Sequence, residues 1–285
     1  MTAVLGVIGG SGIYDMPGLE LMDRQRVATP FGDASDELVR GRLGSTEMLF
    51  LPRHGRGHRL APHGINYRAN VAAMKLAGAT HLVSLSAVGS LKESISPGDV
   101  VIVDQYIDLT KRRVSTFFEE GAIAHVGFGD PVCKLMADAL IASAGTAGAK
   151  LHSGGTYVCM EGPQFSTRAE SELYRSWGAS VIGMTAMPEA KLAREAELPY
   201  ATVALVTDYD CWHESEEDVS VDAVLAVLKA NAALAQRIVA ALAERLPDPH
   251  ESIAHQALTG ALITDPTAIP AAVKERLGFL IGRFL

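Results

Sequence analysis

The stretch VLGVIGGSGIYD, residues 4–15, opens with a short apolar run and empties into Gly9-Gly10-Ser11-Gly12. The run Val4–Ile8 reads as a buried strand. A strand that ends in glycines lets the backbone approach a ligand closely. The dinucleotide fingerprint GxGxxG would use Gly10 and Gly12 but needs a third glycine where Asp15 stands, and GxxxxGK[ST] is absent. What remains is a strand, a turn and one hydroxyl, Ser11. That combination makes either an anion-binding nest of backbone N–H groups or a tight structural turn.

Further strand-like runs follow at Met48–Leu51, His81–Ser86, Val100–Val103, Thr156–Met160 and Tyr200–Val206. Helices are predicted between them at Asn66–Leu76, Val132–Ala144 and Arg168–Trp177, the last opened by a Thr167/Glu170 capping box. This alternation implies an α/β fold, a parallel or mixed sheet covered by helices. The longest predicted helix is Val221–Leu246, with Ser220 as N-cap and Leu228, Ala232, Ala235, Val239, Leu242 and Leu246 on one apolar face. Pro247 and Pro249 end it, and a last helix starts near Pro270 and runs through Leu277, Leu280 and Ile281. There is no low-complexity linker and no internal repeat. The reading is a single domain, 1–246, with a tail, 247–285, that belongs to it.

Composition narrows the function classes. The chain has 285 residues, is 48% hydrophobic and carries a net charge of −8, so it can bury a sizeable core and offers no basic face for nucleic acid. Cys133, Cys159 and Cys211 are an odd, widely spaced set, which fits neither a disulfide framework nor a zinc site. No apolar run reaches the roughly 20 residues of a membrane span. The start, MTAVLGVIGG, lacks the charged region of a signal peptide. A cytoplasmic protein without membrane, nucleic-acid or metal partners is expected.

In an acidic chain, clustered cations are informative. LPRHGRGHRLAPHGINYRAN, residues 51–70, holds Arg53, His54, Arg56, His58, Arg59, His63 and Arg68. Arg53 offers a planar fork for phosphate oxygens. His54 and His58 have a helical metal-ligand spacing, but Gly55 and Gly57 argue against a helix there. A solvated charged loop is the competing reading. LSAVGSL, residues 85–91, sets Ser86, Ala87 and Gly89 at a strand end, where α/β sheets bind ligands.

ALVTDYDCWH, residues 204–213, ends a buried strand in Asp208 and Asp210. Residues i and i+2 of a strand share a face, so the two carboxylates are expected to share a small space and a proton near neutral pH. Such a pair can donate to a leaving-group nitrogen and accept from an N–H. A helix cap or a calcium-like loop is the alternative, though Cys211 and Trp212 suit calcium poorly. In MEGPQFSTRAE, residues 160–170, Phe165 could stack on a flat ring or pack in the core. In GMTAMPEA, residues 183–190, Thr185 offers a hydroxyl at a helix start, where anions are favoured. An anion site, paired carboxylates and a stacking aromatic at neighbouring strand ends fit a nucleoside cleaved by inorganic phosphate.

GGSGIYD, PRHGRGH, SAVGSL, PGDVVIVDQYID, EGPQFSTRAE, GMTAMPE and TDYDCW occur in this order, and together they resemble the trimeric purine nucleoside phosphorylases over roughly residues 4–246. The resemblance implies one domain with a central mixed, partly barrel-like sheet flanked by helices, assembled as a homotrimer. It implies phosphate contacts from Ser11, Arg53, His54, Ser86, Ala87 and Thr185. Met184 would lie against the ribose, and Phe165, Ser166, Asp208, Tyr209 and Asp210 would surround the base. His125, Val221 and Val224 would face the 5′ substituent. Ser11 and Ser86 stand where threonine is frequent in the family and keep the hydroxyl.

The implied reaction is reversible phosphorolysis of S-methyl-5′-thioadenosine to adenine and 5-methylthio-α-D-ribose 1-phosphate, in purine and methionine salvage. Phosphate is a co-substrate, no cofactor is needed, and 5′-deoxyadenosine is a further candidate substrate. Asp208 is the expected acid toward the base, with Asp210 on the 6-amino group, since only an acceptor pairs with an N–H; the sequence leaves the exchange of these two roles open. A 6-oxopurine or methylthioinosine phosphorylase, a hydrolytic nucleosidase and a non-catalytic nucleoside-binding protein are the alternatives.

Overall fold

A computed structural model describes residues 3–10, 12–213 and 221–285, without the side chains of residues 221–226 and 228. The opening run forms β1 (Val4–Gly9), buried throughout, between β4 (Thr46–Pro52) and β5 (His81–Ser90), both parallel to it. β2 (Glu20–Gln25), β3 (Leu38–Leu43) and β4 form an antiparallel meander beyond. On its other side β5 runs parallel to β11 (Tyr200–Asp208), and its last residues pair antiparallel with β10 (Val181–Gly183). β10 leads to β9 (Thr156–Cys159) and β7 (Gln105–Asp108), and β11 leads to β6 (Val100–Ile102) and β8 (Leu151–Ser153). The sheet is therefore mixed and branched at β5. It does not close into a barrel, because β6 and β7, separated only by Val103 and Asp104, share no ladder.

Helices cover both faces. α1 (Tyr67–Leu76), α4 (Ala186–Glu195) and α6 (Ala271–Ile281) bury Val71, Met74, Leu192, Leu277 and Ile281 on one side. α2 (Lys134–Thr146) and α5 (Val221–Ala243) bury Met136, Leu140, Ile238, Val239 and Leu242 on the other. α3 (Arg168–Ser176) opens with the predicted capping box, the Thr167 side chain taking the Glu170 N–H and the Glu170 carboxylate taking the Thr167 N–H. α5 ends at Ala243, ahead of both prolines. Its buried stripe is Leu234, Ala235, Ile238, Val239 and Leu242, while Ala232 is exposed. Leu228 as a side chain and Ser220 lie outside the described residues. The tail packs onto the same core through Leu258, Ile269 and α6, and the Glu197 carboxylate takes the Leu258 N–H and the Arg283 guanidinium.

The parallel set β1, β4, β5 and β11 decides where chemistry can occur. Gly9 lies beside Pro52, Ser86 beside Ala204, and Gly89 beside Asp208. The glycine turn, the Arg53–His54 segment, Ser86 and the carboxylates thus emerge at one edge, at strand carboxyl ends. Among the described residues no helix is long and apolar enough to cross a membrane, and the cysteines are unpaired.

The pH dependence of stability follows from two buried imidazoles. Burial pushes His81 down to about 4, and burial likewise pushes His54 down to about 4. In the unfolded chain both take a proton near pH ~6.5. Acidification from about 6.5 to about 4 therefore loads protons on the unfolded chain alone, and stability falls across that window. The expected result is a urea midpoint lower at pH 5 than at pH 7.5, with the difference reduced in His81→Asn. An equal midpoint at both pH values would show that these imidazoles are not held neutral.

Candidate active site

The side expected to take the anion is lined by hydroxyls. Ser86 Oγ lies 2.9 Å from Tyr157 Oη and 3.3 Å from Thr185 Oγ1, all three buried. Thr185 is the N-cap of α4, yet its side chain does not cap its own helix. Its hydroxyl joins Ser86 instead, and regular helix begins only beyond Met187, whose φ of −114° and ψ of 135° are extended. Burial pushes the Tyr157 phenol up to about 12, so it stays a neutral donor and acceptor. Ala87 is exposed beside Ser86, so its backbone can be reached from solvent. Ser11 lies outside the described residues. Gly12 accepts a hydrogen bond from Gln236 on α5 and closes a turn with Asp15, which fixes the far side of the opening loop.

Gly183 makes the close approach of Tyr157 possible. A Cβ there would sit 2.0 Å from Tyr157 Oη and 2.6 Å from Cζ. Tyr157 is fully buried and cannot swing away. Gly183→Ala is therefore expected to cost about 1–3 kcal/mol of stability as overpacking and to raise the phosphate KM by displacing Tyr157 from Ser86. Wild-type values for both the denaturation midpoint and the phosphate KM would contradict this geometry.

The cation-rich segment is not the open positive patch that its sequence suggests. Arg53 is buried, with Nε 2.8 Å from Glu189 Oε2 and Nη2 3.1 Å from Oε1. Its remaining contacts go to Leu85 O, Ile8 O and Ser84 Oγ. Burial disfavours its charge, but Glu189 outweighs burial and the guanidinium is held above its ordinary range. The fork expected to hold phosphate thus clamps a carboxylate of its own chain. Arg53 braces β1 and β5 through Ile8 O, Leu85 O and Ser84 Oγ.

His54 is neutral for the same reason of burial, with Nδ1 2.8 Å from Leu60 O. That carbonyl only accepts, so Nδ1 carries the proton and Nε2 presents a lone pair. Such a nitrogen accepts from a phosphate or sugar O–H rather than supplying charge. His58 has positive φ and stacks on His54 at 4.2 Å. Arg56 pairs with Asp36 and Glu37, Arg68 with Glu119, and Arg59 donates to Ser35 O. Among the described residues no group of His, Cys, Asp and Glu is placed to hold a metal.

The carboxylate pair is present, but not as two steps along one strand face. β11 ends at Asp208, and Asp210 opens a 3-10 turn with φ +55°. Asp208 Oδ1 accepts the Asp210 N–H at 2.8 Å, and Oδ2 accepts the Thr207 hydroxyl at 2.6 Å. Asp210 Oδ2 accepts the Ser171 hydroxyl of α3 at 2.6 Å. Gly89 lets this turn lie on β5, since a Cβ there would be 3.0 Å from Asp208 Oδ1 and 3.3 Å from Asp210 Cβ. Burial raises the Asp210 carboxyl, the Ser171 hydroxyl draws it down, and Asp208 adds a further upward push. The upward shift falls on Asp210, the residue expected on the 6-amino group.

The remaining expected residues divide. Ser166 O accepts from Cys211 Sγ at 3.3 Å, which ties the Phe165–Ser166 loop to the carboxylate turn. Phe165 itself is 82% exposed, not core. Tyr209 stacks on His213 at 4.5 Å and meets Trp212 edge-on. Met184 lies against Gly162, whose added Cβ would be 2.5 Å from Met184 Sδ. His125 is exposed on a segment whose N–H bonds to Ala261 O of the tail; no described hydrogen bond links it to the site. Val221 and Val224 begin α5, and their side chains lie outside the described ones. Tyr157, Ser171, Arg113 and Glu189 were not anticipated. A cleft of about 950 Å³ lined by Gln105, Cys133, Arg194 and Ser252 shares no residue with this site.

Comparison with known proteins gives concordant results. The model of the phosphorylase superfamily matches residues 4–244. S-methyl-5′-thioadenosine phosphorylase of Geobacter sulfurreducens is 56% identical over the full length of both chains. The protein of the same name from Koribacter versatilis is 54% identical, over 100% of this chain and 97% of the relative. A methylthioadenosine phosphorylase from an antarctic soil metagenomic library superposes with a TM-score of 0.92 at 50% identity, over 98% of this chain and 99% of the other. A single-residue variant of adenosine/methylthioadenosine phosphorylase from Schistosoma mansoni, solved with methylthioadenosine, gives a TM-score of 0.83 at 34% identity, over 91% and 96% of the two chains.

Proposed function

The chain belongs to the phosphorylase superfamily, and on that premise we propose that it cleaves S-methyl-5′-thioadenosine with inorganic phosphate, giving adenine and 5-methylthio-α-D-ribose 1-phosphate. The single observation that carries this reading is the paired Asp208 and Asp210 at the strand edge that also carries the Ser86–Thr185–Tyr157 hydroxyls. Relatives named for this reaction, matched end to end, support it.

A phosphate oxygen attacks C1′ as the C1′–N9 bond breaks. The electron pair passes into the purine, and a proton reaches the base from the carboxylate pair or from water that the pair orients. The sugar passes through an oxocarbenium-like state, which the phosphate anion stabilises from the opposite face. The Ser86 and Thr185 hydroxyls supply neutral donors to phosphate. His54 Nε2 takes its O–H, and Met184 flanks the sugar. The carboxylates favour a 6-amino purine, because an oxo group would face acceptors.

We also propose that it works as a cytoplasmic homotrimer, acting in purine and methionine salvage. The exposed Ile123, Ile253 and Ile263 give the 123–128 segment and the tail apolar surface for a second copy. The decisive experiment is turnover of methylthioadenosine, 5′-deoxyadenosine, adenosine, inosine and methylthioinosine with and without phosphate. Phosphate-dependent release of adenine from methylthioadenosine is the expected result. Equal release without phosphate would make the protein a nucleosidase.

A further inference from the structure

Arg113 lies in a segment between β7 and α2 to which no role has been given. Its side chain is 1% exposed. Nη1 donates to Met184 O and Met187 O, each at 2.6 Å, and to Tyr67 Oη at 3.0 Å. Nη2 donates to Glu161 O at 2.7 Å and Met160 O at 3.3 Å, and Nε faces Glu161 Oε1 at 3.4 Å. Every N–H of the guanidinium is therefore committed within the protein. Arg113 is not a ligand-binding group. It ties together the loop that carries Phe165 and Ser166 and the loop that carries Met184 and Thr185.

The tie has a directional consequence. The peptide between Met184 and Thr185 is trans, so its C=O and N–H point in opposite directions. Arg113 holds the Met184 carbonyl on one side. The Thr185 N–H is thereby turned to the other, away from the guanidinium, while the Thr185 hydroxyl lies with those of Ser86 and Tyr157. A guanidinium on the carbonyl also polarises that peptide and strengthens its N–H as a donor. The same group fixes the Met160 and Glu161 carbonyls, so one side chain sets the spacing between the base loop and the anion loop.

We propose that Arg113 is a positioning residue for the phosphate subsite, acting through the Met184–Thr185 peptide. This rests on the phosphorolysis reading. Lysine cannot replace it, because one ammonium does not span carbonyls of two loops in a fixed fork.

The test compares wild type with Arg113→Lys and Arg113→Met for the phosphate KM, the nucleoside KM at saturating phosphate, and the rise in Tm that phosphate produces. Arg113→Lys is expected to raise the phosphate KM about tenfold or more and to lose most of that Tm rise, with a nucleoside KM within threefold of wild type. Arg113→Met should do the same more strongly. If the Met variant does not fold, the Lys variant, which keeps the charge facing Glu161, decides. A merely structural arginine would lower Tm and leave the phosphate KM and the phosphate-induced rise at wild-type values, and that result overturns the proposal. Wild-type turnover that ignores phosphate would instead remove the phosphorolysis reading itself.

Discussion

Asp208→Asn is expected to lower kcat for methylthioadenosine by roughly 10²–10⁴-fold, the usual contribution of general acid catalysis. The substitution fits the site, so the loss is chemical rather than a failure to fold. The amide oxygen can keep the Asp210 N–H that Asp208 Oδ1 now accepts. The amide NH₂ then faces Thr207 Oγ1, whose own proton already has an alternative acceptor in Val88 O at 3.1 Å. Asp210→Asn is likewise accommodated, with its amide oxygen taking the Ser171 hydroxyl. It is expected to act mainly on the choice between 6-amino and 6-oxo purines, since an amide donates where a carboxylate only accepts.

Because the two groups share one turn, with Asp208 Oδ1 holding the Asp210 N–H, their effects should not add. The double variant is expected to lose no more than about tenfold beyond the worse single variant. The measurement is kcat/KM for methylthioadenosine and methylthioinosine in all three variants. If neither single variant loses tenfold on the 6-amino substrate, the pair is not catalytic.

The parts of this fold legible in the sequence are those that bury an uninterrupted apolar run. β1, β4, β5 and β11 were found because VLGVIG, MLFL, HLVSLS and YATVALV are buried across their length. β2 was missed because ELMDRQ is exposed at the sheet edge and pairs on one side only. β8 and β10 were missed because LHS and VIG hold at most two apolar residues in a row, whereas β6, equally short, lies within the run VVIV. The candidate site groups could be read as strand-end motifs, since a short motif keeps its residues together whatever lies around it. Their supports were not. Ser86 meets Tyr157 across 71 residues, Asp210 meets Ser171 across 39, and Arg53 meets Glu189 across 136. Charge patterning was misleading for the same reason. The cations of residues 51–70 were adjacent in sequence, while the acids that neutralise them were distant or assigned to nothing. MTAMPEA was read for its threonine, and the glutamate four residues on proved to decide what Arg53 does.

That glutamate carries the second large effect. Glu189 is fully buried and bonds Arg53 through both oxygens, with the Tyr200 hydroxyl adding a third contact at 3.1 Å. Removing one member of such a pair leaves the other charge in the core without compensation, at a cost of about 3–5 kcal/mol. Against a total stability of about 5–15 kcal/mol, Glu189→Ala is expected to unfold a large share of the protein at working temperature. Arg53→Ala should be as damaging, so a lost phosphate response in that variant reports the fold before it reports phosphate. Replacing both members together separates the two. Arg53→Met with Glu189→Leu removes both charges and fills the volume, which is often neutral or stabilising relative to the pair. The double variant is therefore expected to be more stable than either single one by urea denaturation. A phosphate KM still raised in that restored fold would assign the remainder to the guanidinium itself. Single variants that each cost less than about 1 kcal/mol, the range of exposed ion pairs, would show that Arg53 and Glu189 do not brace β1 and β5.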